Sequence, residues 1–490
     1  MEMSIDVQSS TRKNIKSSEI LSMDATALAK KIALQTFTAK GVVETYISHI
    51  TKVNGALNCL VEDRFQSALK EAEQLDKQIS AAGVQHEKKL LGVPISMKES
   101  FHVKGMNTTG GLVQRKQMVQ EQDSEVVSQL KAEGAIILGK TNTPALCFCQ
   151  ETDNKLYGRT NNPWDVNKTA GGSSGGEGAI LAVGGAAAGL GSDIGGSIRF
   201  PSHFNGIIGF KSGNCQVSQI GSFPQINIPL QERMLGIGPM TKSVRDAKLM
   251  YNIIAKKQAP TKRLANFKIS ILPKTTFPMS SNTISMLDRL YKQLEDNMPT
   301  EIAVPPYFEE GALLWQQIMS VDGGESVKEI AFQHKRESVF KHYLFEKWGG
   351  KSSIHTYLSW ALIGAKLFKP NKKRLLEIEK IVAEGDLILN KYLQNRIIIF
   401  PIYHMSAPVH GKLYKELFSV RKTFLEYIPY VAYANVWGLP SLTIPITTDE
   451  HGMPIAVQLI SKNGNEDALF QLGELLENEY RGYIRCNYYD

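Results

Sequence analysis

The chain has 490 residues, 42% hydrophobic and 21% charged, which is enough apolar material for a large core and excludes a disordered tail or a disulfide-stapled miniprotein. Its net charge of +8 comes from 56 Lys and Arg against 48 Asp and Glu with no basic block, so no nucleic-acid partner is expected. The five cysteines, Cys59, Cys147, Cys149, Cys215 and Cys486, are odd in number and mostly far apart, as suits reduced thiols in an intracellular compartment.

Residues 1–22 are polar and are expected to be loose. They hold no apolar core of signal-peptide length, and a run of about 18 apolar residues occurs nowhere. A cytoplasmic protein is therefore expected, with peripheral contact at a membrane surface left open. From Asp24 to His49 apolar residues recur at helical spacing and predict two helices broken near Gly41. Leu57 to Val61 reads as a short strand, Arg64 to Ser80 as an amphipathic helix, and Leu90 to Met97 as a buried strand running into Lys98. A helix from Glu125 to Glu133 and an apolar run from Ala135 to Leu138 continue the alternation. A polar loop is expected through Asn161, Asn162, Pro163, Trp164 and Asp165. Cys147 and Cys149 form a lone CxC without a second ligand pair and read as buried thiols; no metal and no cofactor are expected.

Glycine is dense from Gly171 to Gly213 but interleaved with Ile180, Leu181, Val183, Ile194, Phe200, Ile207 and Phe210. A flexible linker would lack those apolar residues, so the glycines here permit close backbone approach around a site. Residues 305–370 become helical and aromatic-rich. Leu375 to Leu393 predicts one helix, Ile397 to Phe400 a buried strand, and residues 431–460 two strands around a turn at Asp449 to Gly452. A helix from Glu466 to Tyr480 closes the chain. About 150 residues per domain would allow roughly three domains, yet helices and strands alternating without internal repeats indicate a layered α/β fold of one or two.

Three motif readings of the glycine-rich segment fail or weaken. Gly189, Gly191 and Gly195 give GxGxxxG rather than the dinucleotide fingerprint, and no GKS or GKT ending supports a phosphate loop. Gly172, Ser174 and Gly176 satisfy GxSxG literally, but a nucleophile elbow needs an apolar strand before it and NNPWDVNKTAG precedes it here.

The whole constellation is more specific: Lys98 in GVPISMKES, GGSSGGEGA at 171–179 and GSDIGGSIRFP at 191–201. Together these segments resemble the amidase signature family, and the resemblance extends to GAIILGKTN at 134–142 and the GLP and VQLI elements near 438 and 457. It implies a fold with a large twisted mixed sheet sandwiched between helices, forming a single domain over residues 23–490. It also implies a catalytic unit of Ser197 as nucleophile, Ser173 as a bridging serine in a cis peptide, and Lys98. The backbone N–H groups of Ile194, Gly195, Gly196 and Ser197 would form the oxyanion hole, with Ser174, Asp193 and Arg199 holding the loop.

The chemistry accounts for these residue types. A serine hydroxyl needs a base, and a lysine can be one only when its pKa falls from about 10.4 toward neutrality through burial or neighbours. Without the serine motifs, Lys98 would read as a surface residue paired with Glu99. Ser173 would relay the proton to Lys98 and return it to the departing amine. His203, six residues after Ser197, reads as an ordinary structural histidine.

EGAI after GGSSGG, and TNTPALCF at 141–148, resemble the fatty acid amide hydrolase branch of the family. The expected substrate is a small-molecule acyl amide, with Trp315, Met319, Trp360, Leu362, Leu367 and Phe368 suited to a hydrophobic acyl chain. A general aryl- or acylamidase of short substrates and an amidotransferase A-type subunit stay open as alternatives, as does a homodimer. The stretch Ile354 to Phe368, followed by Lys369, Lys372 and Lys373, reads as a buried helix with a solvated basic end in preference to a membrane-docking face.

Overall fold

A computed structural model describes residues 17–82, 88–275, 277–333, 337–349, 352–417 and 428–490. Its strands are β1 (Leu60–Asp63), β2 (Pro94–Lys98), β3 (Ile136–Thr141), β4 (Asn161–Asn162), β5 (Asp165–Thr169), β6 (Ala188–Asp193), β7 (Ile208–Lys211), β8 (Gly236–Thr241), β9 (Lys268–Ile271), β10 (Thr300–Ile302), β11 (Arg396–Pro401), β12 (Ser441–Thr448) and β13 (Pro454–Ile460). Among the described residues eleven of them form one sheet in the order β1-β3-β2-β6-β8-β7-β12-β13-β11-β9-β10, and β4 pairs with β5 apart from it. The pairs β3–β2–β6 and β11–β9–β10 are parallel and the others antiparallel, so the sheet is mixed, as the sequence implied.

The alternation of side chains along each strand divides the interior in two. On β11, Ile397 and Ile399 join one core, built on the helices Ala39–Leu57, Val244–Ile254 and Glu466–Glu479, while Ile398 and Phe400 join a second, built on Arg199–Asn205, Gly311–Met319 and Pro429–Val436. A sheet covered on both faces explains why β2, β3 and β11 read as continuous apolar runs. Part of the aromatic region packs elsewhere: Phe332, Ile354, Leu358 and Leu362 meet Leu112 and Leu146 in a third, smaller cluster.

Several boundaries differ from the sequence reading. The first two predicted helices break at residues 34–38, and Gly41 lies inside the second, its N–H bonded to the capping hydroxyl of Thr38 at 3.1 Å. The expected polar loop contains the β4–β5 hairpin. The first of the two late strands begins only at Ser441, because Pro429–Val436 is helical. Ser17–Ser22 forms a short helix in the stretch expected to be loose; residues 1–16 of that expectation lie outside the described residues. No helix among the described residues is long and apolar enough to cross a membrane.

The parallel strands β3, β2 and β6 end side by side, at Thr141, Lys98 and Asp193, with Met97 opposite Leu190. Segments leaving the carboxyl ends of neighbouring parallel strands converge on one crevice. Here they bring Lys98, the 143–150 segment and the 194–198 loop together.

Candidate active site

Lys98 is the last residue of β2 and fully buried. Its Nζ lies 2.7 Å from Ser173 Oγ and 3.0 Å from Ser192 Oγ. Burial lowers its pKa, opposed by the nearby Cys147 thiol and the Asp193 and Glu177 carboxyls. The result is a lysine biased toward the neutral amine, whose lone pair can accept a proton. Glu99 is not its partner: that carboxylate accepts from Thr109 N–H at 2.5 Å, Thr109 Oγ1 at 2.8 Å and Gly110 N–H at 2.8 Å. Below the lysine, burial pushes the Glu177 carboxyl up to about 8, with bonds from the Ser96 and Thr141 hydroxyls pulling the other way.

The Gly172–Ser173 peptide is cis, and Thr143 Oγ1 donates to the Ser173 carbonyl at 2.9 Å. Ser174 N–H donates to the Ser197 carbonyl at 3.1 Å, which joins the two serine segments through the backbone. The Ser174 hydroxyl is buried and has no partner among the described residues, so any support they receive from this residue comes through its main chain. Ser197 Oγ makes no hydrogen bond among the described residues and faces open space, the residue being 5% exposed.

The loop carrying Ser197 is tied down by a buried ion pair. Asp193 accepts from Gly196 N–H at 2.8 Å, Ile198 N–H at 3.1 Å and the Arg199 guanidinium at 3.0 Å through both Nε and Nη2. Arg199 also reaches Val431 O at 2.9 Å and Gln458 Oε1 at 2.8 Å. Burial alone would raise the Asp193 carboxyl, but Arg199 holds it well below the usual carboxylate range.

Of the four N–H groups expected to form the oxyanion hole, Gly196 is the exception, because its N–H is already engaged by that carboxylate. Those of Ile194, Gly195 and Ser197 have no acceptor among the described residues. Gly196 sits at φ +93°, and a Cβ there would come within 2.5 Å of the Phe200 ring, so the tight reversal before Ser197 requires glycine. His203 accepts from Ala456 N–H at Nδ1 and pairs with the Met405 carbonyl at Nε2, both at 2.9 Å. Burial drops it to about 4, leaving a neutral structural ring.

Two chambers meet at Ser197. The larger holds about 320 Å³ and is lined by Ser173, Ser192, Phe223, Gln231 and Asp322 among others. The smaller holds about 110 Å³ and is walled by Trp315, Met319, Trp360, Ile363, Leu367 and Phe368. Ser173 borders the larger one and not the smaller.

Sequence reasoning missed Ser192, Thr143, Gln150, Asn435 and Gln458, although Ser192 stands inside the GSDIGGS motif and its signal was available. It also read Cys147 as a buried thiol. Cys149 is buried, but Cys147 is half-buried, lines both chambers and lies 3.3 Å from Thr143 Oγ1.

The family model described as Amidase matches residues 41–470. Fatty-acid amide hydrolase 2-A of Danio rerio is 30% identical over 494 residues, covering 95% of this chain and 90% of that protein. The A-type subunit of the glutamyl-tRNA(Gln) amidotransferase of Alkaliphilus metalliredigens is 28% identical over 511 residues, covering 95% and 97%. Among solved structures, one described as fatty acid amide hydrolase superimposes with a TM-score of 0.79 at 21% identity, over 96% of this chain and 87% of that one.

Proposed function

The chain belongs to the amidase signature family, and from that premise we propose that this amide hydrolase cleaves amides of hydrophobic acyl groups through Ser197, Ser173 and Lys98. The observation that carries the reading is a buried lysine amine 2.7 Å from Ser173 Oγ, beside a second serine that opens on an apolar chamber. Neutral Lys98 takes the Ser173 proton as Ser173 takes that of Ser197, and Ser197 Oγ attacks the carbonyl carbon. The oxyanion that forms is met by the N–H groups of Ile194, Gly195 and Ser197. Collapse breaks the C–N bond while Ser173 protonates the departing nitrogen and regains a proton from the Lys98 ammonium, which leaves the lysine neutral again. Water then gives a proton to the neutral relay and attacks the acyl-enzyme, and the relay returns that proton to Ser197 as the carboxylic acid is released.

Which chamber takes which half of the substrate follows from the proton's route. Ser173 delivers it to the leaving nitrogen, so the amine belongs in the larger chamber that Ser173 borders and the acyl group in the aromatic one. The full-length similarity to fatty-acid amide hydrolase 2-A supports a hydrophobic acyl group. The equally full-length similarity to part of an amidotransferase keeps ammonia transfer within a complex as a second reading, which copurifying partner proteins would favour.

The deciding experiment is amine release from a matched series of amides running from acetyl to long acyl chains, with Ser197→Ala as control. A kcat/KM that climbs with acyl length supports the reading, and a preference for short or aryl amides overturns its acyl part.

A further inference from the structure

An oxyanion hole made of backbone N–H groups works only if its peptide planes are held, because the N–H of one residue and the carbonyl of the residue before it share a plane and point opposite ways. The Ile194 carbonyl is therefore the handle on the Gly195 N–H. Trp315 Nε1–H donates to that carbonyl at 2.6 Å. The next plane is held at both ends: Gln150 Nε2–H donates to the Gly195 carbonyl at 3.2 Å while the Gly196 N–H donates to Asp193. The Gly195 carbonyl can only accept, which fixes the orientation of the Gln150 amide and leaves its Oε1 buried with no partner among the described residues. The indole also lies against Gly195, where an added Cβ would come within 2.6 Å of Trp315 Cζ2. Both side chains wall the apolar chamber.

We propose that Trp315 and Gln150 are positioning residues of the oxyanion hole, Trp315 gripping the Ile194 carbonyl so that the Gly195 N–H is aimed at the reacting oxygen and Gln150 gripping the Gly195 carbonyl so that the following peptide plane, and with it the approach to Ser197, stays fixed. An acyl group that fills the chamber presses on these two side chains and braces the hole, so acyl binding is expressed in kcat as well as in KM. The proposal rests on the serine-hydrolase reading above.

The test uses Trp315→Phe, which keeps a ring and removes the donor, and Gln150→Met, which keeps the length and removes the amide. Loss of a direct oxyanion donor costs about 10²- to 10³-fold in kcat. Loss of a grip on one should cost about tenfold to a hundredfold, with KM for amine release changed less than about threefold. Affinity for a trifluoromethyl ketone that forms a tetrahedral adduct should fall in the same proportion, while affinity for the carboxylic acid product holds. Gly195→Ala, which displaces the indole, should reproduce the Trp315→Phe loss and add little to it in the double variant.

Unchanged kcat and ketone affinity in both variants would overturn the proposal, as would equal losses of ketone and product affinity, which mark general damage to the chamber. Ser197→Ala, assayed alongside, separates the two levels: if it turns over substrate, the serine reading itself has failed.

Discussion

The relay and the chamber wall lie on either side of Ser197 and are built on opposite principles. Around Lys98, Ser173 and Asp193 the groups are buried and nearly every polar atom has a named partner. The Asp193–Arg199 pair has both side chains wholly enclosed, and Lys98 is ringed by Ser173, Ser192 and Cys147. The helices Gly311–Met319 and Thr356–Leu367 present the chamber mainly with apolar surface, and nearby Phe345, Trp348 and Leu367 are 55%, 81% and 67% exposed. A directional network fails when one member is lost, whereas an apolar wall tolerates changes of shape at small cost. Chemistry should therefore be brittle and substrate choice adjustable, and four experiments break or sharpen that contrast.

The largest effect is expected at the relay. Ser197→Ala and Lys98→Ala should each lower kcat by about 10⁴-fold or more with the fold intact; near-normal amine release by either variant would dissolve the contrast. Next comes the loop anchor. Arg199→Met leaves the Asp193 carboxylate buried and unpaired, which should destabilise the protein by about 3–5 kcal/mol in urea unfolding.

The third concerns pH. Below the lowered pKa of Lys98 its ammonium cannot accept a proton, so kcat/KM should rise with pH and level off once that pKa is passed, at a value below that of an ordinary lysine. Cys147 holds the pKa up, so in Cys147→Ala the rising limb should move to lower pH; a limb that stays in place or moves up would remove the thiol from the account. The smallest effect is expected in the wall. Trp360→Ala should change the ratio of kcat/KM between long and short acyl amides by about five- to tenfold, on the scale of a single methylene of contact, with a melting temperature within a few degrees of the parent. A loss equal for all acyl lengths would contradict the division of labour.

Six of the eleven sheet strands were legible, the buried apolar runs among them, whereas β6 to β10 were not, β6 and β8 being broken up by glycine and β10 being only three residues long. Ile397 to Phe400 and the strand leading into Lys98 stood out as apolar runs. The hairpin at Asn161–Thr169 did not, since Asp165, Asn167 and Lys168 are partly or fully exposed and carry no apolar alternation. Within the site, the residues that share the short motifs were readable: Lys98, Ser173, Asp193, Ser197 and Arg199 stand in segments whose composition is unusual in itself. Asn435 and Gln458 were not, because each is an ordinary polar residue whose meaning comes from an arginine more than 200 positions away.

Taken by itself, the amino-acid sequence determined the layered α/β class and the family, and it singled out Ser197, Ser173 and Lys98 as candidates to attack, relay and accept a proton, since those depend on local pattern and chemical identity. Tertiary structure alone decided that Lys98 is desolvated rather than paired with Glu99, that the Gly196 N–H serves Asp193, and that Trp315 and Gln150 hydrogen-bond the loop before Ser197. A pKa and a hydrogen-bond partner are properties of surroundings, and around Gln150, Lys98 and Trp315 the surroundings come from segments 45, 75 and 121 residues apart in the chain.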